Sequence, residues 1–139
     1  KQAVGRSRGG RNTKIHALAD AKGRLLAILL TGGEAHDCPV AERLIRRVTP
    51  AKRLLGDKAY DSAELRDGLD ERGTKPVIPN RCNRKKPFSF SKRLYKLRWR
   101  IESAFNRLKD FRRIATRYDR LARNYLASVC LAAALVWWI

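Results

Sequence analysis

With 139 residues, of which 44% are hydrophobic, the chain can bury the core of one domain and is too apolar for general disorder. Its 32 Lys and Arg residues outnumber 13 Asp and Glu residues, and the formal net charge of +19 makes a compact domain repel itself. Such a charge favours nucleic acid as a partner, because phosphates release counterions when they bind Lys and Arg; an anionic membrane surface is the alternative. The three cysteines form no C-x-x-C pair, which argues against a disulfide framework or a zinc module and favours a reducing cytoplasm.

The first third of the chain predicts a β-hairpin behind a basic, Gly-rich N-terminal segment over residues 1–12. Residues 13–20 alternate as in a strand, and its apolar face consists of Ile15, Ala17 and Ala19. Residues 21–23 supply a turn, and the apolar stretch 24–31 gives the second strand. We therefore expect one domain from residue 13 to residue 139.

Helices and strands then alternate along the chain. Pro39 stands near the start of a helix that runs to about residue 48, with Asp37 as its predicted N-cap. The later elements are a strand over 53–60, a helix over 61–72 capped by Asp61 or Ser62, a strand over 75–79, a basic loop over 80–90, a helix over 91–111 and a final helix from residue 119. This order predicts an α/β fold in which a mixed sheet is flanked by helices. The uncharged final 15 residues fall short of the roughly 20 that span a bilayer, so we expect a core helix there.

Most of the excess charge lies in residues 81–123. This region holds 16 Lys and Arg residues against Glu102, Asp110 and Asp119, and so carries 13 of the 19 net positive charges. A solvated face would mix its signs more evenly. We expect these cations to bind the DNA backbone without reading its sequence. Members of this set are Arg84, Lys85, Lys86, Arg100, Arg112 and Arg113.

The stretch 95–109 combines an apolar stripe with a polar edge if it forms one helix. At about 100° per residue, four polar side chains fall within roughly 60° of one another. They are Tyr95, Arg98, Glu102 and Lys109. The neighbouring apolar stripe consists of Leu94, Leu97, Ile101, Ala104, Phe105 and Leu108. Glu102 is the only acid between Glu71 and Asp110, which favours a functional carboxylate. The alternative is an ordinary ion-pair helix in which Glu102 pairs with Arg98 and Asn106.

A second carboxylate stands out in the sequence Gly-Asp-Lys-Ala-Tyr-Asp over residues 56–61. Asp57 would end a buried strand, where an acid is costly unless it pairs, caps a helix or holds a metal ion. Asp57 or Asp61 could equally cap the following helix, and Asp61 suits that position better. Asp57 and Glu102 could together chelate Mg²⁺, for which Mn²⁺ can substitute, and two such ions can assist both oxygens of a phosphodiester displacement. Two acids are few for a two-ion site, so a third is expected.

These residues resemble the signature of the DDE (Asp-Asp-Glu) transposases of bacterial insertion sequences, the insertion sequence four/five group. That signature reads Tyr, two residues, Arg, three residues, Glu, six residues, Lys. Every spacing is met by Tyr95, Arg98, Glu102 and Lys109. The blocks GRSRGGRNTKIHALAD, LTGGEAHD and LLGDKAYDS also resemble that group and stand in the expected order, so the resemblance covers nearly the whole chain.

The resemblance implies an RNase H-like fold in which Asp57 and Glu102 are the second and third catalytic acids. Arg98 and Lys109 would contact DNA near the cleaved bond, and Tyr95 would position it. The first Asp of that group precedes a block like GRSRGG, so this sequence is expected to lack it. We therefore expect an N-terminally incomplete core that is inactive alone, either the second product of a frameshifted gene or a truncated copy.

The sequence thus predicts a bacterial, cytoplasmic and nucleoid-associated transposase. It is expected to act as a homodimer on element ends and target DNA, and no membrane is expected among its partners. A frameshifted gene would add its upstream product as a partner. Two alternatives stay open: a DNA-binding remnant that cuts nothing or inhibits the full enzyme, and a basic RNA-binding protein such as a ribosomal one. Low solubility is expected of a core that lacks its first strand.

Several residues favour structural roles over functional ones. Asp20 lies at the hairpin turn, and we do not assign it as the missing acid. His16 and His36 could be ligands, but a packed or surface position is favoured for both. Phe88 and Trp99 could stack on bases or pack in the core. Trp137 and Trp138 are expected in the core or at an interface.

Overall fold

The computed structural model describes residues 5–7, 10–33, 35–111, 114 and 122–138, with side chains from residue 13 onward. The chain divides into two compact units. Unit 1 comprises Lys1–Ala35 with Arg100–Ile139, and unit 2 comprises His36–Trp99. The single domain over residues 13–139 stays a prediction, and each unit is described by itself.

Unit 1 contains a three-stranded antiparallel sheet with the order β1-β2-β3. Its strands are β1 (Gly5–Ser7), β2 (Gly10–Ala19) and β3 (Leu25–Gly32). The antiparallel β2–β3 pair confirms the predicted hairpin, with Ala17 opposite Ile28. β1 and the start of β2 lie within residues 1–12, for which the sequence predicts no strand, because Gly and Arg there show no apolar alternation.

The turn between β2 and β3 is built by Asp20. Its Oδ1 accepts hydrogen bonds from the backbone N–H groups of Lys22 and Arg24, both at 2.9 Å, and its Oδ2 accepts one from Arg24 Nε at 2.8 Å. Gly23 has a φ of 81°, a left-handed conformation in which a side chain would be strained. Asp20 is therefore a turn residue, as the sequence predicted.

Two helices pack on the sheet of unit 1 through one buried cluster. They are α4 (Trp99–Lys109) and α5 (Ala122–Trp137). The cluster consists of Leu25, Ile28, Ala104, Leu108, Ile114, Tyr125, Val129, Ala132 and Ala133. The predicted apolar face of β2 packs against it, which confirms the orientation of that strand. The Tyr125 hydroxyl also donates a hydrogen bond of 2.7 Å to the Ile114 carbonyl, so the buried polar end of this ring is satisfied.

α5 is apolar on its outer face as well as on its inner one. Tyr125 and Val129 are buried, whereas Leu131 is 62% exposed and Leu135 is 51% exposed. No helix in the described part of the chain is both long and apolar enough to cross a bilayer. The prediction of a core helix is confirmed for the inner face, and the outer leucines present apolar surface to solvent.

Replacing Leu131 by Lys is expected to raise the soluble fraction of the protein. Lys and Leu have similar helix propensities, and the exposed position should keep the free energy of unfolding within about 0.5 kcal/mol. The measurement is the soluble fraction after lysis together with urea unfolding. Val129→Lys, at a fully buried position of the same helix, is the matched control and should unfold the chain. Equal destabilisation by both changes would show that Leu131 is covered rather than exposed.

Unit 2 alternates helices with two short parallel strands. Its elements are α1 (Asp37–Ile45), β4 (Arg53–Leu55), α2 (Ala63–Glu71), β5 (Lys75–Val77) and α3 (Lys92–Tyr95). β4 and β5 pair in parallel, with Leu54 opposite Pro76. The core between these elements consists of Ala41, Ile45, Leu65, Leu69 and Ile78, with Leu54 and Tyr60 packed against it.

The helix termini of unit 2 follow the predicted signals with one exception. Ser62 Oγ accepts a hydrogen bond of 3.4 Å from the Leu65 N–H, and Gly73, with a φ of 76°, follows the end of α2; both were predicted. The prediction of Asp37 as the N-cap of α1 is wrong, because the N-cap is His36, which makes no side-chain cap bond. Asp37 lies in the first turn instead, where an acid is favoured by the helix dipole.

Two sequence predictions about larger elements need correction. The strands of the described residues form two sheets, one antiparallel and one parallel, rather than one mixed sheet. The helix predicted over 91–111 is interrupted, because a 3₁₀ turn, Lys96–Arg98, separates α3 from α4. Leu97 lies in that turn and is exposed, so the apolar stripe packs in the core only from Ile101 onward.

Candidate active site

The sequence from Gly56 to Asp61 folds into a short turn that displays Asp57. β4 ends at Leu55, and a 3₁₀ turn follows over Lys58–Tyr60. Asp57 is the N-cap of this turn, since its Oδ1 accepts a hydrogen bond of 2.9 Å from the Ala59 N–H. The sequence assigned helix capping to Asp61 in preference to Asp57. That assignment is wrong, because the N-cap of α2 is Ser62 and the buried carboxylate of Asp61 accepts from Arg66 and Arg84 instead.

Tyr60 fixes the turn from the inside. Its ring packs against the core of unit 2 and lies over Gly56, where a Cβ would come within 3.2 Å of the Tyr60 Cδ2. Burial, with the neighbouring charges of Asp37 and Asp57 adding to it, raises the pKa of Tyr60 to about 12. The phenol therefore stays neutral at physiological pH, and Gly56 and Tyr60 serve to hold the backbone that carries Asp57.

The second carboxylate oxygen of Asp57 faces Arg98. The distance from Arg98 Nη2 to Asp57 Oδ2 is 3.5 Å, and the two side chains are 29% and 39% exposed. Asp57 was predicted to end a buried strand, and this is wrong, because Arg53 is exposed and Leu54 and Leu55 are only half-buried. The carboxylate is thus accessible from solvent, and its partner is a long contact rather than a tight ion pair.

Tyr95 belongs to the same group of side chains. Its ring stands edge-on to Phe90, with 5.9 Å between the centroids and an interplanar angle of 78°. The Arg98 guanidinium lies 5.9 Å from the centre of the Tyr95 ring. Three of the residues predicted from sequence, Asp57, Tyr95 and Arg98, therefore lie together in unit 2.

Glu102 and Lys109 are placed on α4 and belong to unit 1. Both are exposed, whereas Ala104 and Leu108 of the same helix are buried in the core. The sequence placed Glu102 and Lys109 on one helical edge with Tyr95 and Arg98. The 3₁₀ turn Lys96–Arg98, which contains Arg98, interrupts the predicted helix between Tyr95 and Glu102, and the shared edge stays a prediction.

The predicted DNA-binding cations occupy several different environments. Lys85 and Lys86 are exposed in the loop over residues 80–90. Arg84 Nε donates a hydrogen bond of 2.8 Å to Asp61, so this guanidinium is held by the protein. Arg100 donates to the carbonyl of Ala21 in the hairpin turn. Arg112 and Arg113 lie outside the described residues.

Sequence reasoning missed the most enclosed polar group of unit 2, which is Asp61. Its carboxylate is fully buried and accepts from Arg66 Nε at 2.9 Å as well as from Arg84. Burial opposes ionisation, but hydrogen bonds from Arg84, the backbone N–H of Arg81 and Arg66 outweigh it and lower the pKa of Asp61 to about 2. A signal was present: Arg66 falls beside Leu65 on the inner face of α2, and a buried Arg needs a carboxylate.

The remaining candidates divide between packing and exposure. His16 is buried, and its Nε2 lies 2.7 Å from Thr31 Oγ1, so the predicted packing role is confirmed. Trp99 is 57% exposed, which makes core packing wrong for this residue. Trp138 Nε1 donates to the Leu25 carbonyl at 3.1 Å. Trp137 packs against the core of unit 1, as predicted.

The donor chemistry fits a divalent cation, although the described residues contain no ready-made metal cluster. No group of three or more His, Cys, Asp or Glu side chains comes close enough to hold an ion within that part of the chain. Asp57 of unit 2 is half-buried and Glu102 of unit 1 is exposed, and each carries a carboxylate, the kind of ligand that Mg²⁺ prefers. Among the described residues, the contact between Asp57 Oδ2 and Arg98 is long, so a cation can compete for this oxygen.

Comparison with known proteins places the chain in a family. The family described as "Transposase DDE domain" matches residues 1–137. The chain is 36% identical over 127 residues to a Brucella ovis protein described as "Putative transposase for insertion sequence element IS6501", covering 90% of this chain and 97% of that protein. It is 33% identical over 137 residues to a Burkholderia cepacia protein described as "Putative transposase for insertion sequence element IS402", covering 91% and 63% respectively.

A third relative, the transposase for insertion sequence element IS1106 of Neisseria meningitidis, is 29% identical over 128 residues, which are 85% of this chain and 44% of that protein. The chain thus spans less than two thirds of the second and third relatives. No solved structure matches the chain. The chain belongs to the DDE transposase domain family, and the predicted resemblance to insertion sequence transposases is confirmed at that level.

Proposed function

We propose that this chain is the catalytic core of an insertion sequence transposase that cuts and joins DNA with divalent metal ions. The observation that carries the proposal is the turn over residues 56–61, which presents an exposed carboxylate beside two residues of the Tyr-Arg-Glu-Lys signature. Asp57 lies 3.5 Å from Arg98, whose guanidinium in turn lies over Tyr95. A turn that served capping alone would not need these two side chains beside its carboxylate.

Asp57 and Glu102 are the residues that would hold Mg²⁺ or Mn²⁺. When bound, such ions stabilise the charge on the attacking and leaving oxygens of a phosphodiester displacement. Asp57 contributes the oxygen that now faces Arg98, and Glu102 contributes an exposed carboxylate on the first turn of α4. The third acid of the family's set is not assigned to any residue of this chain, and an RNase H-like arrangement of the sheet is part of the same proposal.

The cations would bind the DNA on which these acids act. Arg98 is within reach of a phosphate next to Asp57. Lys109, exposed at the end of α4, would make a further phosphate contact. Tyr95, braced by Phe90, offers a flat ring and a hydroxyl for positioning the strand. Further backbone contacts are assigned to Lys85, Lys86, Arg100, Arg112 and Arg113, whereas the guanidinium of Arg84 is held by Asp61. Pairing of two copies on the element ends, in the bacterial cytoplasm and on the nucleoid, completes the proposal.

Cleavage of supercoiled DNA that carries the element ends, with Mg²⁺ or Mn²⁺, tests this function. The assay compares the chain with a version extended upstream through the expected Asp, each with and without Glu102→Gln. We expect cleavage by the extended protein and a loss of at least about a hundredfold in Glu102→Gln, because a charged metal ligand becomes a neutral amide. Glu71→Gln, an exposed acid at the end of α2, is the matched control and should leave the rate unchanged.

The outcomes separate three functions. Cleavage that survives Glu102→Gln would remove Glu102 from the site. Salt-sensitive DNA binding without cleavage in every version would make the protein a DNA-binding remnant. Preference for RNA over duplex DNA, unaffected by Glu102→Gln, would point to a basic RNA-binding protein instead.

A further inference from the structure

The basic loop over residues 80–90 is folded around a buried carboxylate. Asp61 is fully buried, and its Oδ1 accepts from Arg66 Nε on α2. Its Oδ2 accepts from two groups of the loop, the Arg81 N–H at 2.7 Å and Arg84 Nε at 2.8 Å. One carboxylate therefore ties the start of the loop to the inner face of a helix.

Two further contacts close the loop on itself. Asn80 Nδ2 donates to the Phe88 carbonyl at 2.7 Å, and the Phe88 N–H donates to Asn80 Oδ1 at 2.8 Å, so the two residues are joined across the loop. The Phe88 ring has the Arg66 guanidinium 4.4 Å from its centre and that of Arg84 at 4.9 Å. Such cation–π contacts add to the ion pairs with Asp61. The loop thus has a defined conformation although it contains no helix or strand.

The same network reaches the turn that displays Asp57. The Arg81 guanidinium donates to the Ala59 carbonyl at 3.1 Å and to the Lys58 carbonyl at 3.4 Å. Asp57 begins this 3₁₀ turn and Asp61 follows it directly. The carboxylate that folds the loop is therefore four residues from the candidate metal ligand, at the other end of the same 3₁₀ turn.

We propose that Asp61 is a positioning residue that holds residues 81–88 as a preformed phosphate-binding loop of fixed location relative to Asp57. Lys85 and Lys86 are exposed at its tip, and the residues 80–90 contain no acid that would repel DNA. Arg84 acts from inside the loop, by pairing with Asp61, rather than on the phosphate. The ligand is the sugar-phosphate backbone of duplex DNA. This inference rests on the proposed function and names the surface that would place the scissile strand near Asp57.

The hydrogen bonds to Asp61 would favour DNA binding because they order the loop before the DNA arrives. A loop of about ten residues with several like charges would otherwise lose conformational freedom when it binds, and that loss weakens binding. Asp61 is neutralised by Arg66 and Arg84, so it orders the loop without lowering the positive potential at the tip. Lys85 and Lys86 then bind the phosphates without any further ordering of the loop backbone.

Arg84→Gln is the variant that tests the inference. It removes the side-chain link between the loop and Asp61, leaves the Arg81 N–H bond at the start of the loop, and keeps the buried pair of Asp61 with Arg66, so the fold of unit 2 is retained. The measurement is duplex DNA affinity as a function of salt, in EDTA, because the slope of log K against log salt falls by about 0.9 for each phosphate that the protein no longer neutralises. The matched control is Arg46→Gln, which removes one exposed charge after α1, outside the loop.

We expect Arg84→Gln to lower the slope by the equivalent of about two phosphates, as the double variant Lys85→Ala/Lys86→Ala does, and the control by one at most. Combining Arg84→Gln with the double variant should then add nothing, because both remove the same phosphate interactions. The positioning role would be overturned if Arg84→Gln lowered the slope by the equivalent of a single phosphate and its effect added fully to that of the double variant. Arg84 would then be an ordinary phosphate ligand.

The DNA-binding measurements on Arg84→Gln, the double lysine variant and their combination are independent of the cleavage assay. Because it is run without divalent metal, a protein that binds DNA but does not cut it would contradict the proposed function while the loop inference could still hold. The reverse result, additive variants in a protein whose cleavage depends on Glu102, would leave the proposed function intact and overturn the loop inference alone. Absence of salt-dependent binding in the unaltered chain would overturn both.

Discussion

Asp57→Asn is expected to slow metal-dependent DNA cleavage by at least about a thousandfold while the protein keeps its stability. Asn is as good an N-cap as Asp, so the hydrogen bond from the Ala59 N–H should persist. The contact with Arg98 is long and partly exposed, and such a pair contributes about 0–1 kcal/mol. What the substitution removes is the negative charge that a metal ion needs, and loss of such a group acts mainly on the transition state.

The comparison needs both a rate and a stability for each protein. Rates are measured on supercoiled DNA with the element ends, using the upstream-extended protein, and stabilities by urea unfolding. Asp67→Asn, an exposed acid on α2, removes the same charge away from the turn and should change neither quantity. An Asp57→Asn protein that cleaves normally would reduce Asp57 to a capping residue, the alternative that the sequence left open.

Local signals explain which parts of the fold could be predicted. The β2–β3 hairpin follows from alternation and the Asp20 turn, and the ends of α2 follow from Ser62 and Gly73, because each signal lies within a few residues of the feature it sets. The pairing of β4 with β5 in a sheet of their own depends on contacts between distant segments. Nothing in the local pattern of residues 96–98 indicates the 3₁₀ turn either, since Leu97 continues the apolar stripe.

The candidate site was predictable in its residues and not in its geometry. Spacing and resemblance both pointed to Asp57 and Arg98, but the contact joins residues 41 apart in sequence, a distance over which spacing carries no information. For the same reason the ion pair of Asp61 could not be predicted, because its partner Arg84 is 23 residues away in sequence. Counting Arg84 among solvent-facing cations followed from composition, and only the tertiary contact shows that its guanidinium faces inward.

Asp61→Asn is expected to lower the free energy of unfolding by about 3–5 kcal/mol at neutral pH, the largest stability change of any substitution considered for unit 2. Removing one partner of a buried ion pair leaves the other charge uncompensated, here the guanidinium of Arg66, whose side chain is almost fully enclosed. Arg66 also donates to the Ile78 carbonyl at 3.0 Å, so it cannot leave the core without breaking a second hydrogen bond. Urea unfolding of the variant and the unaltered chain gives the difference directly.

The pH dependence distinguishes this ion pair from packing. Because the folded pKa of Asp61 is lowered to about 2 from an ordinary 3.8, its stabilising effect is complete above about pH 4 and declines as pH falls towards 2. The lowered pKa of Asp61 corresponds to a contribution of about 2 kcal/mol to the free energy of unfolding. The difference in the free energy of unfolding between the unaltered protein and Asp61→Asn should therefore narrow by roughly that amount from pH 6 to pH 2, because a protonated Asp61 carries no more charge than Asn.

Asp70→Asn, an exposed acid of α2, should show a small difference at every pH. A gap that stays constant over this range would mean that Asp61 stabilises unit 2 by shape and hydrogen bonding and not by its charge.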